Sequence, residues 1–393
     1  MKNARLITFA CYAAFISLGM CGTLLGPTFQ SLAQRFEIPL EQAGLFTGFQ
    51  FGASTLGVII IGRLLDRLNA RYLLAGGVLF MGGGLLVLSN APTLPVALFG
   101  ALVLGLGYGA IDVSPNVVVA SLNPEKASVA LNALNVFFGI GAIIGPQLVN
   151  WALSQQNFTL AYTATAVFTL LLVIPFSMVS VHVHTGDRSA PRAAIGWVRL
   201  VPFAVLLFMY VGTEVGFGSW IVTQVTQVTL ATAAIGTLAA SLFWVGLSAG
   251  RIVASLILRW LTDQQLLIIS ILLIGVGVAL LLLVPGAEAI AILSAFVVGF
   301  GCGPVFPTAL AMINNRYPEA RGTASGTLMA IGTMGAVLLP WLQGQVGGGQ
   351  NGGMSVILGA AILMLGIVVV IQRQASPSLS SIGESQSSVA RGR

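Results

Sequence analysis

Two acids stand out in this chain because their surroundings should exclude them. Asp112 lies in GLGYGAIDVSPN and Glu214 in YVGTEVGFGSW, both within long apolar runs, while the other nine of the eleven acids fall in loops or the tail. A charge at mid-bilayer costs about 2.5–3.5 kcal/mol on insertion scales, so such a residue normally faces a bundle interior or an aqueous cavity. The chemistry open to it is ion coupling: a carboxyl that takes up a proton, or holds a sodium ion, on one side and releases it on the other. The competing reading is a protonated acid serving as hydrogen-bond glue between helices. One helical turn after Asp112 comes Asn116, on the same face. Asn132 and Asn135 follow in the next apolar segment, and Gln50 and Gln224 lie in others. Amides donate and accept, as paired recognition of hydroxyls requires, although each would serve equally well as interhelical glue. Phe138 and Trp220 offer aromatic faces on which the apolar side of a hydroxylated solute could stack. Arg251 is the nearest cation to the acids, and its expected place is close to a helix end, outside their reach.

These residues need helices to carry them. The chain is 56% hydrophobic and 7% charged, far below the roughly 25% charge of soluble proteins. Apolar runs of about 20 residues, enough to cross a bilayer, recur from end to end. They predict an all-α membrane protein of about twelve transmembrane helices, near 6–30, 41–61, 72–90, 94–122, 127–151 and 160–181, then 200–226, 233–259, 265–284, 288–315, 321–345 and 352–372. Forty-eight glycines suit close helix packing in lipid.

The helices fall into two pseudo-symmetric halves, because 105–146 returns at 299–340. Gly105, Gly107, Gly109, Pro124, Glu125, Gly141 and Pro146 match Gly299, Gly301, Gly303, Pro318, Glu319, Gly335 and Pro340 at one constant offset, 194 residues (340 less 146). In the same register Asp112, Asn116, Asn132 and Asn135 face Phe306, Leu310, Gly326 and Met329. The shared residues read as scaffold and the unshared ones as site. The division expected is a six-helix half at 1–182, a linker at 183–198, a second half at 199–373 and a disordered, Ser-rich tail at 374–393. His182 and His184, at the mouth of the linker, read as solvated residues.

Basic residues fall on alternate loops, and Arg35 alone lies on the opposite set. The positive-inside rule therefore puts both termini in the cytoplasm, with the chain multi-pass in the cell (inner) membrane. Cys11, Cys21 and Cys302 all lie in apolar segments, which supports neither a disulfide framework nor a zinc site. Without a nucleotide-binding loop, metal cluster or nucleophile constellation, no enzyme activity, metal or cofactor is expected. The net charge of +6 follows membrane topology, so nucleic acid is not an expected partner.

The segment GRLLDRLNARY, 62–72, follows the second apolar run. It resembles the loop signature of the major facilitator superfamily, and twelve helices in two duplicated halves agree. The resemblance implies a conformational gate made of Gly62, Arg63, Asp66, Arg67 and Arg71, with Asp66 holding the halves together against a helix N-terminus. The second copy, from Gly250-Arg251, has Ala254 where that Asp would stand. AIDVSPN and YVGTEVGFGSW are similar to the fucose–galactose–glucose proton symporter branch and the sodium-dependent glucose transporters, which implies ion coupling at Asp112 and Glu214. The first helix carries no acid, unlike some sugar symporters of that branch. Gly141-xxx-Gly145-Pro146 resembles the core of the antiporter signature of drug exporters without its following Gly pair, and reads as a packing and bending motif.

The expectation is a monomeric secondary transporter that moves a small polar solute, a sugar for preference, by alternating access, with proton preferred over sodium as the coupling ion. Proton-driven efflux of amphipathic compounds and a non-transporting receptor or scaffold are the alternatives.

Overall fold

The computed structural model describes residues 2–65, 67–122, 127–178, 197–257, 260–316, 321–347 and 351–375. Among them twelve helical stretches are long and apolar enough to cross a membrane. The first is broken. Helix α1 (Lys2–Thr23) gives way to a 3-10 turn at Gly26–Thr28 and then to α2 (Phe29–Arg35). Pro27 accounts for the break, since it cannot donate a backbone hydrogen bond. Thr28 closes the gap by donating to the Leu24 or Leu25 carbonyl and by pairing with Tyr162. A 3-10 turn at Leu40–Ala43 leads into α3 (Gly44–Leu64), followed by α4 (Ala70–Asn90), α5 (Leu94–Leu122) and α6 (Ala127–Ser154). The sixth span is also divided, into α7 (Thr159–Leu171) and α8 (Val173–Met178). Pro175 falls in the first turn of α8, where a missing N–H costs little.

The remaining spans are α9 (Trp197–Gln227), α10 (Ala233–Ile257), α11 (Asp263–Leu283), α12 (Glu288–Arg316), α13 (Arg321–Gly347) and α14 (Asn351–Ala375). Helix α9 starts at Trp197, so the linker expected at 183–198 is shorter at that end. The rest of that linker, with His182 and His184 beside it, lies outside the described residues, as does the tail beyond 375.

The shared glycines do the same work twice. A Cβ on Gly105 would meet the Gln50 carbonyl at 2.1 Å, and one on Gly299 the Phe243 carbonyl at 2.0 Å, so α5 and α12 cross α3 and α10 backbone to backbone. One turn on, Gly109 lies against Ser54 and Gly303 against Leu247 in the same way. Gly141 packs on Ile16 of α1, and Gly335 on Phe208 of α9. Only a hydrogen in place of a side chain permits such crossings. Large apolar side chains such as Phe9, Leu56, Phe80, Phe99, Leu272 and Ile362 point outward, as a lipid-facing surface requires.

The first six spans meet the last six along α6–α10 and α3–α13. At the end of the bundle away from the chain termini these seams are closed. A Cβ on Gly26 would lie 2.5 Å from the Ser219 carbonyl, and one on Gly344 2.2 Å from that of Glu41. Gln147 donates to the Thr237 carbonyl (3.1 Å) and to Ser241 (3.0 Å), which donates to Ile143 (2.8 Å).

Candidate functional site

Beneath this seal lies a chamber of about 230 Å³, and below it a vestibule of about 940 Å³. The vestibule follows α5 from Asp112 through Asn116 and Val117 to Ser121, toward the face that carries the chain termini. Ligand pockets for drug-sized molecules run roughly 300–1,000 Å³, so the chamber suits something smaller.

Asp112 and Glu214 line both chamber and vestibule, one from α5 and the other from α9. Asp112 is exposed, but to this cavity. Asn135 on α6 also lines both spaces, and its amide nitrogen donates to the Leu131 carbonyl (3.1 Å). Asn116 lines the vestibule and donates to the Asp112 carbonyl (2.6 Å). Each therefore spends one donor on its own helix, leaving an amide oxygen and a second N–H. Phe138 stands in the chamber wall, edge-on to Trp244 with ring centroids 5.9 Å apart.

Four expected binding residues stand elsewhere. Trp220 is fully buried in the seal, donating from Nε1 to the Pro340 carbonyl (2.8 Å) and lying edge-on to Phe29 at 4.9 Å. Gln50 donates to the Cys21 carbonyl (3.2 Å) from a fully buried position between helices. Gln224 is buried and bonds Asn351 (2.9 Å), near the ends of α9 and α14. Asn132 is exposed and lies outside the lining of both spaces. Asn132 stands three residues before Asn135, which leaves it about 60° short of a full 3.6-residue turn and turns it aside.

Arg251 corrects the sequence expectation. It lines both chamber and vestibule with the two acids, and its Nε is buried without a hydrogen-bond partner among the described residues. Arg251 precedes the end of α10 at Ile257 by six residues, and in the packed bundle it faces the gap between the halves. Trp244 and Tyr108, on the chamber wall, were also not singled out as binding residues. The duplication held the signal for Arg251 and Trp244, and for Glu214, read through helix contacts. Gly141 meets Ile16 as Gly335 meets Phe208, so Glu214 occupies the position of Gly22. Gly109 meets Ser54 as Gly303 meets Leu247, so Arg251 replaces Val58 and Trp244 replaces Phe51. Gly22, Val58 and Phe51 all line the chamber as well.

At the face carrying the termini, Arg63 and Arg67 are exposed around a shallow depression with Ile60 and Leu64. Gly62 is half-buried beside them. Arg71 donates to the Tyr72 hydroxyl (3.0 Å) and lies 4.6 Å from the centre of that ring. Asp66 lies outside the described residues. Arg35, at the opposite face, binds the Ser89 and Ala91 carbonyls at the end of α4 (both 2.9 Å).

A cavity lined by residues of α1, α3, α5, α6, α9, α10, α12 and α13, sealed at one end and open at the other, with charged groups deep inside, defines a membrane transporter. Residues 11–340 match the family model of the Major Facilitator Superfamily, and the chain belongs to that family. It is 24% identical to the sodium-dependent glucose transporter 1A of Mus musculus over 371 residues, which covers 84% of this chain and 87% of that one. It is 22% identical to the glucose/mannose transporter GlcP of Bacillus subtilis (strain 168), covering 92% and 94%. Among solved structures, the nucleoside transporter NupG superposes with a TM-score of 0.75 at 14% identity, covering 96% of this chain and 100% of that one. The chain is therefore a multi-pass membrane transporter and not an enzyme.

Proposed function

We propose that the protein moves a sugar across the cell membrane by alternating access, with a cation carried on Asp112 and Glu214. The observation that carries this reading is the cavity itself: two carboxylates, from α5 and α9, share one space with a single open end. Sugar transport by the named relatives supports the choice of solute. With the termini in the cytoplasm, the vestibule opens inward and the seal faces outward. A sugar held near the midplane lies between the halves, where transporters built from repeats bind their solutes. Its hydroxyls meet the free amide groups of Asn135 and Asn116, and its apolar face meets Phe138 and Trp244.

Proton is the preferred ion, and sodium the alternative. A cation moving down the membrane potential supplies about 2.3 kcal/mol per 100 mV, enough to concentrate the solute roughly fiftyfold. When the outer seal opens and the vestibule closes, Gly62, Arg63, Arg67 and Arg71 approach the opposite half and act as the inner gate. The working unit is the monomer in its bilayer.

The test is uptake by proteoliposomes across a sugar panel, with pH and sodium gradients imposed separately. Asp112→Asn should abolish gradient-driven accumulation while leaving exchange measurable. Undiminished accumulation by that variant would sink the coupling role.

A further inference from the structure

Three charged side chains line the chamber and vestibule among the described residues: Asp112, Glu214 and Arg251. All three replace uncharged residues of the other half, namely Phe306, Gly22 and Val58. Arg251 is held in place by its backbone, since a Cβ on Gly303 would meet the Arg251 nitrogen at 2.8 Å. Its Nε has no protein partner among the described residues, so the side chain is not committed to a structural bond there. Arg251 and Glu214 also lie within electrostatic reach of the same two side chains, Tyr210 and Cys302.

We propose that Arg251 is the fixed counter-charge of the coupling site, leaving the cavity one net negative charge and so setting one coupling cation for each neutral solute. The inference rests on reading Asp112 and Glu214 as the cation carriers. The reasoning is charge balance in a medium that tolerates uncompensated charge poorly. With both acids ionised, the guanidinium cancels one charge and leaves the other. One proton or sodium ion then makes the cavity neutral; a second makes it positive. The closed conformation that must pass between the two open ones withdraws these groups from water, and the neutral combination does so at least cost. Among the described residues, the titratable groups around Arg251 are Tyr210 and Glu214 from α9, Cys302 from α12, and Asp112 and Tyr108 from α5, while α6 presents Asn135. The same balance selects the solute: a neutral polyhydroxylated compound leaves it intact. An anionic solute, paired with the guanidinium, would need two cations instead.

Wild-type protein in proteoliposomes, tested with glucose, galactose, mannose and fucose, should show a zero-flux potential that corresponds to one charge per sugar. A ratio of two overturns the proposal. Arg251→Gln should steepen the dependence of uptake on the coupling cation from first to second order, and Arg251→Lys should keep it first order. Glu214→Gln added to Arg251→Gln should restore first order, since it restores the charge. A melting-temperature series on the purified proteins reads the same balance without any solute: Arg251→Gln should melt below wild type, and the double variant should recover. If no sugar moves but the melting recovery is seen, the sugar reading falls and the counter-charge stands. If sugar accumulates in the wild type and the double variant recovers neither order nor melting temperature, the counter-charge falls and the sugar reading stands.

Discussion

Two tryptophans of the second half divide its aromatic work between closure and binding. Trp220 is packed into the seal, and its indole N–H is spent on the Pro340 carbonyl. Trp244 stands in the chamber wall against Phe138. Trp220→Phe leaves that buried carbonyl without this donor, at a cost of about 1–3 kcal/mol. The seal should open more often, and a single cysteine placed at Ser219 should react with a maleimide about tenfold faster; an unchanged labelling rate would remove Trp220 from the closure. Trp244→Ala should instead weaken sugar binding about tenfold and leave labelling at Ser219 unaltered. Sequence alone points to Trp220 as the stacking residue and leaves Trp244 aside, although both sit in apolar helices with similar neighbours. What distinguishes them is which way each side chain faces once α9 and α10 have packed.

Among the helices, the glycines sort into those that set a crossing and those that do not. Gly105 and Gly299 each lie where a Cβ would collide with the backbone of a neighbouring helix, whereas Gly76 in α4 has nothing within 4 Å. Gly105→Val and Gly299→Val should both force α5 or α12 away from its neighbour and sharply lower the yield of monodisperse protein. Gly76→Ala should be neutral or stabilising by up to about 1 kcal/mol, from helix propensity. Size-exclusion profiles and melting temperatures decide this, and equal damage at all three positions would refute the crossing argument. The duplicated register found Gly105 and Gly299 from sequence, because the need for close approach is the same in both copies. It did not find the breaks at 24–28 and at Leu172, where Pro27 and Pro175 interrupt otherwise continuous apolar runs.

For the transporter as a whole, the closed end and the open end make a prediction about motion. Gln147 and Ser241 join α6 to α10 across the seal at 3.0 Å. Gln147→Cys with Ser241→Cys, joined by a short bis-methanethiosulfonate cross-linker, should trap the protein with its vestibule open. Cys11, Cys21 and Cys302 are all buried, which keeps competing reactions low. Transport should stop on cross-linking and return on reduction. Continued transport through the cross-linked protein would be incompatible with alternating access.

The number of spans, the duplication, the family signature and the presence of two acids inside apolar helices were legible in the sequence, since each depends on local composition or on spacing along one chain. Membership of the cavity was not. Asp112, Glu214, Asn135 and Phe138 proved to share it, while Trp220, Gln50, Gln224 and Asn132 did not, and Arg251 entered it unexpectedly. A residue joins the site only if its face of the helix turns toward the gap between the halves. That rotation is fixed by glycine contacts between helices far apart in the chain, among them the approach of Gly303 on α12 to the Arg251 backbone on α10.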